Sequence, residues 1–208
     1  MKFKLALTVN RAIQLLISFL FITNIGEGFF APVFAVYVTR ELTGASVQTV
    51  GFAIALYAVV KSVVQIPLAR WLDRRVGEDD DFYVILIGSG ISTIYSLGLI
   101  FITHDWHLYI LAAMNGVGGA CLMAAYYAVF SHHIDKDSEG FEWSLMSVWG
   151  LTISVAIGGA VGGVMAEHFG FAMTFLFAAL LHLAASGLMV ILYSQLKTFR
   201  KKSLLSWL

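Results

Sequence analysis

Long apolar blocks separated by short charged ones dominate the chain. A bilayer-spanning helix needs about 20 mostly apolar residues, because the hydrocarbon core is about 30 Å thick and each residue rises about 1.5 Å. Six blocks meet that length, at about 12–39, 47–69, 82–103, 107–131, 143–166 and 170–195. Charged or glycine-containing breaks at 40–46, 70–81, 104–105, 132–142 and 167–169 separate them. The expected fold is an all-α membrane protein, with one bundle of six transmembrane helices over residues 1–196. The first block is long enough to tilt or to end in an interfacial turn. Residues 1–4 lead into about 28 apolar residues, not into a short apolar stretch with a small-residue cleavage site, so no cleaved signal peptide is expected.

Composition agrees. Of 208 residues, 59% are hydrophobic and 12% charged, against about 45–50% and about 25% in an ordinary soluble domain. The mean hydropathy is +0.83. One cysteine, Cys121, excludes a disulfide scaffold. Thirteen basic and thirteen acidic residues cancel, so no global field favours nucleic acid as a partner. The placement of the basic residues is uneven, and Lys and Arg near helix ends stay on the cytoplasmic side. Eleven of the thirteen lie on the side of the N-terminus: Lys2, Lys4, Arg11, Arg70, Arg74, Arg75, Lys136, Lys197, Arg200, Lys201 and Lys202. Arg40 alone is on the other side, and Lys61 falls inside span two. Both termini are therefore expected to be cytoplasmic, in the plasma membrane. Residues 197–208, basic and then apolar through Leu204, Leu205, Trp207 and Leu208, are expected to form an amphipathic tail at the cytoplasmic interface.

Ionisable groups inside a span are costly and usually face a cavity or a partner. Glu27 lies mid-span in Asn24-Ile25-Gly26-Glu27-Gly28, Lys61 lies in span two and His182 in span six. Gly26 and Gly28 loosen the helix beside the carboxylate and would admit water or substrate. Lys61 has three readings: pairing with Glu27, exposure to a cavity, or snorkelling toward a helix end. His182 reads more readily as a hydrogen-bonded packing residue than as a ligand. Asn115 requires at least an interhelical hydrogen bond. Tyr126 and Tyr127 would either complete a binding surface or act as interfacial anchors.

The loop after span two reads Ala69-Arg70-Trp71-Leu72-Asp73-Arg74-Arg75-Val76-Gly77-Glu78. It resembles the signature between the second and third helices of the major facilitator superfamily, Gly-x-Leu-x-Asp-Arg-x-Gly-Arg-Arg. Ala69 takes the place of the first glycine, Gly77 comes one residue late, and Asp79-Asp80-Asp81 replaces the terminal basic pair. A charged turn placed by the positive-inside bias accounts for the same residues. Span five carries Gly158-Gly159-Ala160-Val161-Gly162-Gly163, similar to the family's Gly-Pro-x-x-Gly-Gly step with Gly159 replacing proline. Gly158 with Gly162, and Gly159 with Gly163, make two small-xxx-small pairs that let another helix approach closely, for packing within the bundle or for a gate. Span four repeats the theme with Gly116, Gly118 and Gly119, and has Ala112 where many relatives carry arginine.

The resemblance covers nearly the whole chain and implies one half, the N-terminal one, of a twelve-helix transporter. In such proteins each half is a pair of inverted three-helix repeats, and the halves are related by an axis along the membrane normal. The exits of spans two and five agree weakly, with Asp73-Arg74 before Gly77 and Glu167-His168 before Gly170. The resemblance further implies that helices one and four line a central cavity, two and five form gates, and three and six face outward. Substrate binding or proton coupling then falls to Glu27, Asn24, Lys61, Asn115 and Tyr126, and gating to Asp73, Arg74, Gly77, Gly158, Gly159, Gly162 and Gly163. The expected function is secondary active or facilitative transport of a small molecule, with or without protons. A second copy in parallel orientation would supply the other bundle. The alternative is a membrane assembly or sensory component with a vestigial cavity.

Catalytic readings are weak. His104-Asp105-Trp106-His107 and His132-His133-x-Asp135 lie in loops and lack the enclosed ligand set of a structural zinc site. No Gly-x-Ser-x-Gly, His-Glu-x-x-His or P-loop pattern occurs, so neither an enzyme nor a resident cofactor or metal is expected.

Overall fold

A computed structural model describes residues 9–75 and 77–205, with side chains as far as residue 195. The side chains of the expected basic tail, 197–208, lie outside that set. Among the described residues seven α-helices follow one another: α1 Arg11–Phe30, α2 Phe34–Glu41, α3 Val47–Leu72, α4 Asp79–Gly98, α5 Asp105–His133, α6 Glu139–Leu145 and α7 Ser154–Leu205, with a π-helical stretch Met146–Ile153 joining the last two. No strand forms among those residues. One isolated backbone bridge joins Thr43 to His104.

Helices occupy the six expected apolar blocks, with differences at their ends, and among the described residues five helices are long and apolar enough to cross a membrane. The first is broken: α1 and α2 are separated at 31–33, where Pro32 lacks the N–H that would continue the helix. The third ends as a regular helix at Gly98, short of the expected 103. Spans five and six run together as α7, interrupted at Gly170 with φ 80° and ψ 169°. Residues 158 and 182 would be about 36 Å apart on a straight helix. Yet both touch one stretch of α1: a Cβ on Gly28 would lie 2.9 Å from Gly158 Cα, and one on Gly26 would lie 3.3 Å from His182 Nε2. The chain therefore reverses at Gly170, giving α7 two antiparallel arms.

The loops agree with the up-and-down order. At one end Asn10 Nδ2 donates to His133 O (2.8 Å) and to Asp135 Oδ1 (3.0 Å), while Asn10 Oδ1 accepts from Ile13 N (2.9 Å) and caps α1. The α3–α4 loop reaches the same end, where Glu78 Oε1 is 3.4 Å from His132 Nδ1 and 3.6 Å from His133 Nδ1. At the other end Thr43 N donates to Thr103 O (2.8 Å).

Close helix crossings depend on glycine. The first arm of α7 lies against α1 through Gly158 and Gly28, and the second arm through Gly26. The central helix α5 does the same with α3 through Gly116, whose Cβ would be 2.8 Å from Tyr57 O, and with α4 through Gly118 and Gly88. Phe82 and Tyr193 join α4 to the second arm at a ring separation of 4.9 Å. Exchanging spans one with four, two with five and three with six maps these contacts onto one another. That is the relation expected of two inverted three-helix repeats. The exits of spans two and five both turn on a positive-φ glycine, Gly77 at 103° and Gly170 at 80°.

Two apolar clusters fill the bundle. One, toward the end that carries Asn10, contains Phe19, Leu20, Phe82, Ile85, Tyr126, Phe130 and Met189. The other, toward the opposite end, contains Phe30, Tyr37, Leu99, Leu108 and Phe175. The Tyr37 hydroxyl donates to Leu99 O within it.

Candidate functional site

Five of the six spans carry polar side chains between the two clusters. The intervening turns carry Thr23, Asn24 and Glu27 on α1, Tyr57 and Lys61 on α3, Ser89 and Ser92 on α4, Asn115 on α5 and His182 on α7. These residues form a polar layer between two apolar ones.

Two adjoining recesses open in this layer. One, of about 280 Å³, is lined by Glu27, Phe30, Phe34, Tyr57, Tyr95 and Asn115 together with small aliphatic residues that include Ala112. The other, of about 220 Å³, is lined by Thr23, Asn24, Glu27, Tyr57, Lys61, Ser92, Asn115 and Gly119. They share Glu27, Tyr57 and Asn115. Glu27 keeps 38% of its side chain exposed there. The first recess therefore presents one carboxylate in a wall of aromatic and aliphatic side chains, and the second presents hydrogen-bonding groups and an ammonium.

Four of the five residues expected at the site are brought together. Asn24 Nδ2 is held by Leu20 O at 2.9 Å, leaving its carbonyl oxygen for the recess. Asn115 makes an interhelical contact, its Oδ1 accepting from Ser92 Oγ at 3.5 Å. Lys61 is partly buried and lies with its ammonium 5.7 Å from the centre of the Tyr57 ring, a cation–π distance. No ion pair within 4 Å joins it to Glu27 among the described residues, so Lys61 faces the recess and does not pair directly with the carboxylate. Gly119 makes room for both α3 side chains: a Cβ there would be 2.8 Å from the Tyr57 hydroxyl and 3.5 Å from Lys61 Cδ.

Tyr126 is placed elsewhere. It is fully buried in the apolar cluster, 6.2 Å from the Phe19 ring and 5.7 Å from that of Phe130, with no hydrogen-bond partner for its hydroxyl. It is a core residue and not a wall of either recess, because its ring, one helical turn from Leu122, points between α1 and α5. Tyr127 is 38% exposed, as an anchor would be.

Two contributors escape a reading of the sequence, and a third, His182, is visible in it without its partner. Tyr57 and Tyr95 line the aromatic recess, but in a chain with 16 Phe and 8 Tyr nothing singles them out. His182 is fully buried on the sixth span, and its Nε2 is 3.8 Å from Glu27 Oε1. The usable signal was its charge-bearing ring in an apolar run. The outward position implied for that helix pointed the other way.

The residues expected to gate fall in two places. Asp73, Arg74 and Gly77 are exposed at the end of α3 and in the α3–α4 loop, where Arg75 stacks on Trp71 (4.6 Å) and approaches Asp80 (3.8 Å). Gly158 and Gly162 pack against α1, with Cβ positions 2.3 Å from Ile25 O and 2.6 Å from Phe29 Cα. Gly159 and Gly163 have far more room, 3.9 Å to their nearest neighbours.

The fold is a bundle of long apolar helices around a polar recess. The Major Facilitator Superfamily family model matches residues 16–206, and the chain belongs to that family. It is 30% identical over 175 residues to the uncharacterized MFS-type transporter YttB of Bacillus subtilis, covering 83% of this chain and 42% of that protein. Multidrug resistance protein 2 of the same organism is 25% identical over 192 residues, covering 92% and 46%. The POT family transporter PepTSo shares the fold, with a TM-score of 0.68 over 88% of this chain and 37% of its own, at 14% identity. The chain is thus a multi-pass membrane protein that spans a little under half the length of the curated relatives it matches.

Proposed function

We propose that the chain is one six-helix half of an alternating-access transporter for a small organic cation with an apolar body. The observation that carries this reading is the polar layer of Glu27, Asn24, Tyr57, Lys61 and Asn115 between two fully packed apolar clusters. A vestigial bundle gains nothing from an ionisable carboxylate at mid-depth, because its desolvation is costly. The aromatic walls of Phe30, Phe34, Tyr57 and Tyr95 suit a delocalised cation, which the ring faces and the carboxylate both attract. Cargo of drug-like character agrees with the name of Multidrug resistance protein 2. The second bundle is a parallel second copy in the plasma membrane, with both termini cytoplasmic as the basic residues favour. In that arrangement Asp73, Arg74 and Gly77 form the cytoplasmic gate, and Gly159 and Gly163 face the moving partner.

The test is uptake of ethidium, a fluorescent amphiphilic cation, by proteoliposomes carrying the full chain. Wild-type uptake should exceed that of empty vesicles. Glu27→Gln should lower the affinity at least about tenfold, since losing a charge-assisted contact costs about 1.5–3 kcal/mol. Equal uptake by that variant, inserted to the same level, removes Glu27 from the mechanism.

A further inference from the structure

We infer that His182 is the protonatable partner of Glu27, so that one proton is shared between the carboxyl group facing the recess and an imidazole buried behind it. The inference rests on the transport reading for its purpose and on geometry for its substance. His182 has no exposed surface, and neither ring nitrogen has a hydrogen-bond partner. A histidine that served packing alone would leave two polar atoms unpaired inside the bilayer, where an apolar side chain of similar volume would cost less. Its ring instead points at the one acidic group of the polar layer, Nε2 lying 3.8 Å from Glu27 Oε1.

Gly26 makes this approach possible. A Cβ at that position would come within 3.3 Å of His182 Nε2 and 3.3 Å of Ala178 O, so even alanine there would require its neighbours to give by a few tenths of an ångström. A closure of roughly 1 Å converts the present separation into a hydrogen bond. With the pair closed, the Glu27 O–H bond breaks as an N–H bond forms at Nε2, giving carboxylate and imidazolium. The reverse transfer restores both neutral groups. No bond at Nδ1 holds the ring in one tautomer.

The other groups that face the pair lie on α3, α4 and α5. Lys61 and Tyr57 on α3 act on Glu27 from across the recess, and Tyr95 on α4 lies within its field. The α5 contribution, Asn115, is uncharged. Among the described residues Glu27 is the only acidic side chain within 4 Å of a His182 ring nitrogen. His182 is thus the inner proton site, and Glu27 the outer one that meets water or cargo.

The full chain in lipid nanodiscs allows a direct test that needs no substrate. The infrared carboxyl band lost in Glu27→Gln is followed against pH, in wild type and in His182→Gln. The midpoint of that band should move by about one pH unit or more in His182→Gln, the size of effect a single close ionisable partner produces. An unmoved midpoint in a folded His182→Gln protein overturns the inference. Nitrogen-15 spectra of the histidine rings supply the second reading without altering His182. One ring should titrate, and its midpoint should change in Glu27→Gln. If every titrating ring is indifferent to Glu27→Gln, the inference falls. Absence of ethidium uptake bears on the transport reading alone, whereas normal uptake with an unmoved band refutes the shared proton alone.

Discussion

Two neighbouring glycines with different surroundings separate packing from gating. A methyl group at Gly158 would lie 2.3 Å from Ile25 O and 2.9 Å from Gly28 Cα, and backbone atoms cannot rotate aside as a flexible side chain can. The Gly158→Ala protein should therefore lose about 1–3 kcal/mol of stability from overpacking. Its unfolding temperature in detergent should fall clearly below that of wild type. Gly159→Ala, with 3.9 Å to its nearest neighbour, should not lower that temperature and, as a helical glycine, should raise it slightly. Equal losses in both variants would mean that Gly159 also packs, within a dimer. The sequence made both pairs visible and could not choose between them, because the 3.6-residue period puts Gly158 and Gly159 only about 100° apart on the helix. Glu27, Lys61 and Asn115 stood out for a physical reason, being polar groups in apolar runs. His182 stood out too, but its partner was invisible, since a pairing 155 positions distant leaves no local pattern. Tyr126 misled for the converse reason: a tyrosine ring packs as readily as it binds.

Helices are where the sequence was most legible, and their ends least. Each apolar block had to be helical, because in hydrocarbon only a helix satisfies its own backbone within one segment. The break at Pro32, the π-helical stretch Met146–Ile153 and the reversal at Gly170 depend instead on one or a few residues each. The last can be tested within a single element. Gly170 has φ 80° with nothing within 4 Å of the place a methyl group would take, so substitution there is opposed by backbone conformation alone. Gly170→Ala should cost about 1–2 kcal/mol. Gly187, exposed and helical on the same α7 with equally open surroundings, should gain about 0.5–1 kcal/mol on replacement by alanine. Thermal unfolding of the two variants in one detergent should move in opposite directions. A Gly170→Ala protein as stable as wild type would show that the hairpin between the two arms does not need the left-handed turn.

The bundle as a whole is one-sided, and that asymmetry decides what the protein can do alone. α3 packs against α5 along one face and leaves Val59, Val63 and Ile66 about two-thirds exposed. The same helix contributes Tyr57 to both recesses and Lys61 to one of them. Alternating access requires two bundles that rock about a shared site. A parallel pair of chains would bring Asp73 of one protomer close to Ser144 of its partner, which lies within α6 where the backbone N–H groups are already taken up by the helix. Two measurements on the full chain test this. The mass of the nanodisc-embedded particle, with lipid subtracted, should be near twice 22.8 kDa. In a Cys121→Ser background, protomers carrying Asp73→Cys mixed with protomers carrying Ser144→Cys should form a disulfide-linked dimer on mild oxidation. Ser144 is exposed at the end of the bundle that carries the α3–α4 loop, so reach is not limiting. A dimeric mass without this cross-link would place the interface elsewhere on the bundle. A monomer in lipid at every concentration would exclude the homodimer, and the second bundle would then have to come from a different polypeptide segment for Glu27 to be enclosed at all.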